Sequence, residues 1–174
     1  MTRAFVAVGS NIDPASNVAE ALRRLARAAR VLDISTVYRT EPIDRPEQDH
    51  YYNCVWELET DLQPLDLIEM LQRIENELGR VRSADKYAPR TIDLDLIAYG
   101  NFAMQSETIT LPDPDIATRP FLAIGLAELA PEMKLPGSEK CLRDIASAMS
   151  RKGIEALQEY TELLRRKIRE RDQS

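Results

Sequence analysis

The order in which two side-chain periods follow each other over the first hundred residues is the tightest constraint on what this chain can fold into. AFVAV (4–8) is a short apolar run closed by Gly9-Ser10-Asn11, and reads as a strand. Asp13 and Pro14 then give N-cap and first-turn signals. Behind them Val18, Leu22, Leu25 and Ala29 recur at helical spacing, predicting a helix over about 15–30. A second strand is expected around 32–39, ending in Tyr38-Arg39, with Pro42 and Pro46 holding the next segment as a loop. In YYNCVWELE the period returns to two, sending Tyr51, Asn53 and Val55 to one face and Tyr52, Cys54, Trp56 and Leu58 to the other. Pro64 opens a second helix striped by Leu67, Ile68, Leu71, Ile74 and Leu78, with Gly79 suited to its C-terminal cap. RTIDLDLIAYG (90–100) supplies a fourth strand.

The succession β-α-β-β-α-β points to an α+β protein with a ferredoxin-like antiparallel sheet and helices on one face. A proline-punctuated loop (112–120), a buried helix at FLAIGLAELA and a charged helix over 151–171 follow. Ile154, Leu157, Leu164 and Ile168 stripe that last helix, so it is expected either to pack on its own domain or to pair with a partner helix. With 174 residues, 44% of them hydrophobic, one globular domain is expected: a main body over 1–135 and a C-terminal helical extension over 136–174.

A formal charge of -6 argues against a general binder of nucleic acid or anionic membrane, so any phosphate site must be local. AFVAV is too short for a signal-peptide core and no stretch reaches a membrane span, so a cytoplasmic chain is expected. Cys54 and Cys141 stand alone and read as buried packing thiols. His50, the only histidine, is expected to be solvated. The sequence specifies no oligomeric state.

The fourth strand carries the chemistry. Ile92, Leu94, Leu96 and Ala98 alternate with Asp93, Asp95, Ile97 and Tyr99, which puts both aspartates on one face of a largely buried strand. Two unpaired carboxylates so close repel each other, and burial raises their pKa values. Either the strand is a solvated edge whose acids meet nearby Lys and Arg, or the pair holds a hard cation such as Mg²⁺. Just upstream, RVRSADKYAPR (80–90) sets Arg80, Arg82, Lys86 and Arg90 against Asp85, a local charge of +3 in an acidic protein. Acids for metal beside guanidinium groups for phosphate is the arrangement phosphoryl transfer uses, though such a loop can also be plain solvated surface. The six glycines form no phosphate-cradling loop.

Six motifs, VGSN (8–11), YRTEP (38–42), YYN (51–53), QRIENELGRVR (72–82), PRTIDLDL (89–96) and RPF (119–121), together resemble the 6-hydroxymethyl-7,8-dihydropterin pyrophosphokinase family. They span about residues 4–135 in the family's order, and RTIDLDL with its upstream GRVR is the specific part. The resemblance implies a folate-pathway enzyme that moves the β,γ-diphosphate of ATP to the hydroxymethyl oxygen of a pterin and releases AMP. It implies that Asp93 and Asp95 hold two Mg²⁺ ions, that Arg80 and Arg90 are catalytic, and that residues 80–90 form a lid over ATP. Gln72, Glu75, Arg82, Tyr87, Arg90, Leu96 and Arg119 would bind ATP. Thr40, Pro42, Ile43, Tyr51, Asn53 and Phe121 would bind the pterin, Tyr51 and Phe121 by stacking and Asn53 by hydrogen bonds to the ring edge. The nucleophile is then the substrate's own hydroxyl. Asp113 departs from the family, which usually carries a histidine there that touches ATP. Here it either accepts a ribose hydroxyl or caps the turn. That departure keeps a second reading open, a pterin- or nucleotide-binding relative without catalysis. A third reading is a different metal-dependent phosphoryl or nucleotidyl transferase.

Overall fold

The structure is a computed structural model and describes residues 1–172. Its elements run β1 (Thr2–Ser10), α1 (Pro14–Ala28), β2 (Arg30–Ile34), β3 (Tyr38–Thr40), β4 (Tyr51–Thr60), α2 (Pro64–Glu77) and β5 (Asp93–Tyr99). A two-stranded ribbon of β6 (Met104–Gln105) and β7 (Thr110–Leu111), a 3-10 turn (Pro114–Ala117) and α3 (Pro120–Leu129) come next. The chain ends in α4 (Leu142–Ser147), β8 (Ile154–Ala156) and α5 (Gln158–Asp172).

The main sheet is antiparallel in the order β5-β1-β4-β3-β8, and β2 also pairs with β4. β1 and β4 occupy its middle because they are apolar on both faces. Ala4, Val6, Val8, Cys54, Trp56 and Leu58 enter a core shared with α1, α2 and α5, whereas Phe5, Ala7 and Val55 enter a second core shared with α3 and α4. Helices therefore cover both faces of the sheet, not one as the pattern alone suggests. The reason lies in α3, where Phe121 to Leu126 are all buried. A helix apolar all round cannot leave a face in solvent and needs its own layer. Gly125 lets this helix approach closely, since an added Cβ would meet Val55 Cγ2 at 2.9 Å and Ser35 Oγ at 3.1 Å. Gly125→Ala is expected to lower stability by about 1–3 kcal/mol through overpacking, measurable by urea unfolding.

Three other expectations change. The single strand over 32–39 is two, broken at Ser35 to Val37. There the Ser35 amide donates to Val55 O at 2.8 Å and the Val55 amide donates to Ser35 Oγ at 2.9 Å, so a hydroxyl takes one place in the ladder. The C-terminal helix starts at Gln158, because Ile154 belongs to β8 and pairs with Thr40. Leu164 and Ile168 of α5 are buried against α1 and the sheet, so the helix packs on its own domain. Asp13 makes no side-chain cap and sits at φ 40, a left-handed turn into Pro14. Gly79, at φ 77, follows α2 as expected.

Candidate active site

Strand β5 presents Asp93, Asp95 and Ile97 to the face covered by α3, while Leu94 and Leu96 enter the α1–α2 core. The register against β1 shifts between Phe5 and Val6, which pair with Ala98 and Leu96, and Ile97 is the extra residue of a bulge. Beyond it the faces swap. Ala98 joins the α3 side and Tyr99 turns back into the α1–α2 core, its hydroxyl donating to Leu62 O at 2.9 Å. The strict alternation expected through Tyr99 thus ends at Ile97, just past the two aspartates.

A cleft of about 380 Å³ opens over these aspartates. Tyr51 and Asn53 from β4, Pro42, Ile43 and Gln48 from the 41–50 loop, and Lys86, Tyr87 and Arg90 from the 80–90 loop line it. Asp113, Asp115, Arg119 and Phe121 close the far side, where the Arg119 guanidinium lies 5.0 Å from the Phe121 ring centroid. Asn53 is fixed from below, its Nδ2 donating to Thr40 Oγ1 at 2.7 Å.

The two aspartates differ in electrostatic environment. Asp93 accepts from Arg80 Nη1 at 2.7 Å and from Arg90 Nη1. Burial pushes its pKa up, but the two guanidinium groups outweigh this and hold it below the usual carboxylate range. Asp95 has no hydrogen-bond or ion-pair partner among the described residues. Solvent reaches it, yet the protein around the cleft floor, together with Asp93, Glu75 and Asp113, pushes its pKa up to about 7. Arg80 pulls the other way but offsets this only in part, and a divalent cation on Asp93 and Asp95 would relieve the remaining repulsion. Among the described residues no three His, Cys, Asp or Glu side chains converge as a closed metal cage. Two carboxylates with the remaining positions left to water and phosphate oxygens suit Mg²⁺.

Arg80 is held from behind. Glu75, buried on α2, lies 3.5 Å from Arg80 Nη1 and 2.5 Å from Arg82 Nη2, and accepts from the Leu94 amide at 2.7 Å. This one carboxylate therefore ties helix α2, the start of the 80–90 loop and strand β5 together. Gln72, three residues earlier, is exposed and does not line the cleft, because α2 turns its Leu67–Leu71–Ile74 stripe inward and Gln72 outward. Arg82 faces solvent apart from its pair with Glu75, and the Leu96 side chain points into the α1–α2 core, away from the cleft. Thr40 reaches the cleft only through Asn53.

The sequence profile of the 7,8-dihydro-6-hydroxymethylpterin-pyrophosphokinase (HPPK) family matches residues 5–131. The chain belongs to the HPPK family. It is a pyrophosphokinase of folate synthesis. The 2-amino-4-hydroxy-6-hydroxymethyldihydropteridine pyrophosphokinase of Haemophilus influenzae is 38% identical over 142 residues, covering 80% of this chain and 88% of its own. The enzyme of the same name from Methylorubrum extorquens is 36% identical over 161 residues, covering 91% of this chain and 100% of its own. Among solved structures, Plasmodium falciparum HPPK-DHPS with pteroate aligns at a TM-score of 0.72 and 11% identity. The alignment covers 89% of this chain but only 47% of that one. At that identity the likeness shows the fold alone.

Sequence reasoning missed the clamp at the base of the 80–90 loop. Asn11 accepts from the Arg90 amide at 2.8 Å through Oδ1 and donates to Gln48 Oε1 at 3.2 Å, and Gln48 Nε2 donates to Tyr87 O at 2.8 Å. Asn11 was within reach, as the last residue of VGSN. Gln48 carried no signal, since its loop has no periodicity. Asp113 caps the 3-10 turn, its Oδ1 accepting from the Asp115 amide at 2.8 Å, while its side chain also borders the cleft. His50 is exposed, and Cys54 and Cys141 are free and buried. No helix among the described residues is long and apolar enough to cross a membrane.

Proposed function

We propose that the cleft binds 6-hydroxymethyl-7,8-dihydropterin between Tyr51, Asn53 and Phe121, and ATP across Arg90, Tyr87 and Arg119. The proposal assigns two Mg²⁺ ions to Asp93 and Asp95. The single observation that carries this reading is the cleft itself. It joins an aromatic and amide pocket on β4 and α3 to an aspartate pair on β5 flanked by arginines, which is what a flat heterocycle and a polyphosphate need side by side. Bound there, magnesium would screen the phosphate charge and make the β-phosphorus easier to attack. The pterin hydroxyl oxygen forms a bond to Pβ as the bond from Pβ to the α,β-bridging oxygen breaks. AMP leaves on the opposite side and the hydroxyl proton passes to solvent. Arg80 and Arg90, which face Asp93, would neutralise the transferring phosphates. The 80–90 lid excludes water when it closes.

We read the sheet as ferredoxin-like at its centre, supported by the antiparallel order β5-β1-β4 with β2 and β3 on the far side of β4. Residues 1–135 form the pyrophosphokinase body in this reading, and 136–174 the extension packed on it, with residues 173–174 lying outside the described residues. The test is nucleotide release from ATP and Mg²⁺ with and without the pterin. Pterin-dependent AMP supports the reading, and ADP or pterin-independent release contradicts it. Asp113 gives a sharper prediction. Asp113→Asn keeps the turn's cap but removes a charge facing the phosphates, so Mg-ATP should bind about three- to tenfold more tightly in equilibrium titrations. Unchanged affinity would show that Asp113 does not repel ATP.

A further inference from the structure

Residues 132–172 lie beyond the part matched by the family profile, yet a short chain of hydrogen bonds links them through β3 to Asn53 in the cleft. The break between β2 and β3 leaves Val37 without a strand partner, and α5 provides one. Thr161 is fully buried; its Oγ1 accepts from the Val37 amide at 2.9 Å and donates to Leu157 O at 2.8 Å, while the Leu157 amide donates to Val37 O at 2.8 Å. Arg165 Nη2 adds a bond to Ile34 O at 2.9 Å. One residue before Leu157, β8 ends, having paired Ile154, Glu155 and Ala156 with Thr40, Arg39 and Tyr38.

Strand β3 is only three residues long, so these contacts decide where its end lies. That end is Thr40, whose hydroxyl accepts from Asn53 Nδ2 at 2.7 Å. With Nδ2 anchored, Asn53 Oδ1 turns over Gly9, where an added Cβ would come within 2.8 Å of it. In this arrangement Oδ1 and the second Nδ2 hydrogen are left for a ligand. Pro42 and Ile43, two and three residues past Thr40, line the same cleft. The aspartates and arginines sit on β5 and its upstream loop, at the opposite edge of β1 and β4.

We infer that the C-terminal segment is a positioning device for the pterin pocket: Thr161 and β8 fix β3, and Thr40 then sets the Asn53 amide. The inference rests on the pterin reading above. Thr161 and Thr40 are positioning residues, and the device acts on pterin affinity without acting on ATP.

The experiment is a pair of equilibrium titrations, one with 6-hydroxymethyl-7,8-dihydropterin followed by its fluorescence and one with Mg-ATP, on the full chain. Thr161→Val keeps the shape but leaves the Val37 amide buried without an acceptor. It should raise the pterin Kd about five- to tenfold, leave the Mg-ATP Kd within about twofold, and speed amide exchange across residues 38–43. Thr161→Ser keeps the hydroxyl and should restore parent behaviour. Thr40→Val leaves the C-terminal contacts intact and should weaken pterin about fivefold with Mg-ATP unchanged; it decides the last link even where Thr161→Val does not fold. Unchanged pterin binding in Thr40→Val, or in folded Thr161→Val, overturns the inference, as does an equal loss for both ligands. A parent protein that binds Mg-ATP but no pterin instead refutes the pterin reading, and the inference with it.

Discussion

Asp95→Asn should lower pterin-dependent AMP release by about 10²–10³-fold while leaving the protein as stable as the parent or more so. The two halves of this result follow from one observation. The Asp95 side chain makes no hydrogen bond or ion pair among the described residues, and burial with Asp93, Glu75 and Asp113 pushes its pKa upward more than Arg80 pulls it down. Neutralising it breaks no internal contact and relieves repulsion, so the urea midpoint should hold or rise. If its charge holds a cation in the cleft, as proposed, the rate should collapse. A variant that keeps its activity would remove Asp95 from the metal site. A variant that loses activity and stability together would mean that the carboxylate is structural.

Glu75→Ala should do the reverse, acting first on the fold. Glu75 is 2% exposed and joins Arg80, Arg82 and the Leu94 amide. Removing one member of such a buried cluster leaves Arg80 with less compensation and the Leu94 amide without an acceptor. The expected cost is about 3 kcal/mol, read as a lower urea midpoint. Arg80 retains Asp93, which keeps the estimate at the low end of the range for buried pairs. Glu75→Gln retains an acceptor for Leu94 and should lose about half as much. An unchanged midpoint in Glu75→Ala would mean that the arginines find solvent at no cost, and that α2 does not brace the lid's root.

The local periods carried most of the fold. The strand faces of Tyr51, Asn53 and Val55 against Tyr52, Cys54, Trp56 and Leu58, and the stripes of α1 and α2, were legible because each burial face repeats over several turns or pleats. What stayed hidden depended on distant contacts. The bulge at Ile97 is set by register with Phe5 and Val6, and the split of β2 from β3 depends on Ser35 meeting Val55. Ile154 looked helical because its spacing to Leu157 fits a helix, whereas pairing with Thr40 makes it a strand. The second helical layer could have been read from α3 itself, which is too uniformly apolar for a one-sided sheet.

The same division holds at the site. Asp93 and Asp95 were placed on one face by strand period alone, and the 80–90 loop was marked by its charge. Glu75 and Gln72 share a motif but not an environment: Glu75 is drawn inward by Arg80 and the Leu94 amide, whereas Gln72 stays exposed. Thr40 acts through a side-chain bond to Asn53, and the opposing positions of β3 and β4 that allow it are tertiary information.

The proposed reaction moves an intact diphosphate from ATP to the pterin hydroxyl. Phosphorus NMR of a completed reaction of the parent protein with ATP, Mg²⁺ and 6-hydroxymethyl-7,8-dihydropterin tests it most directly. The spectrum should show AMP in equal amount to a pterin product bearing two mutually coupled phosphorus atoms. ADP together with a pterin bearing one phosphorus would contradict it.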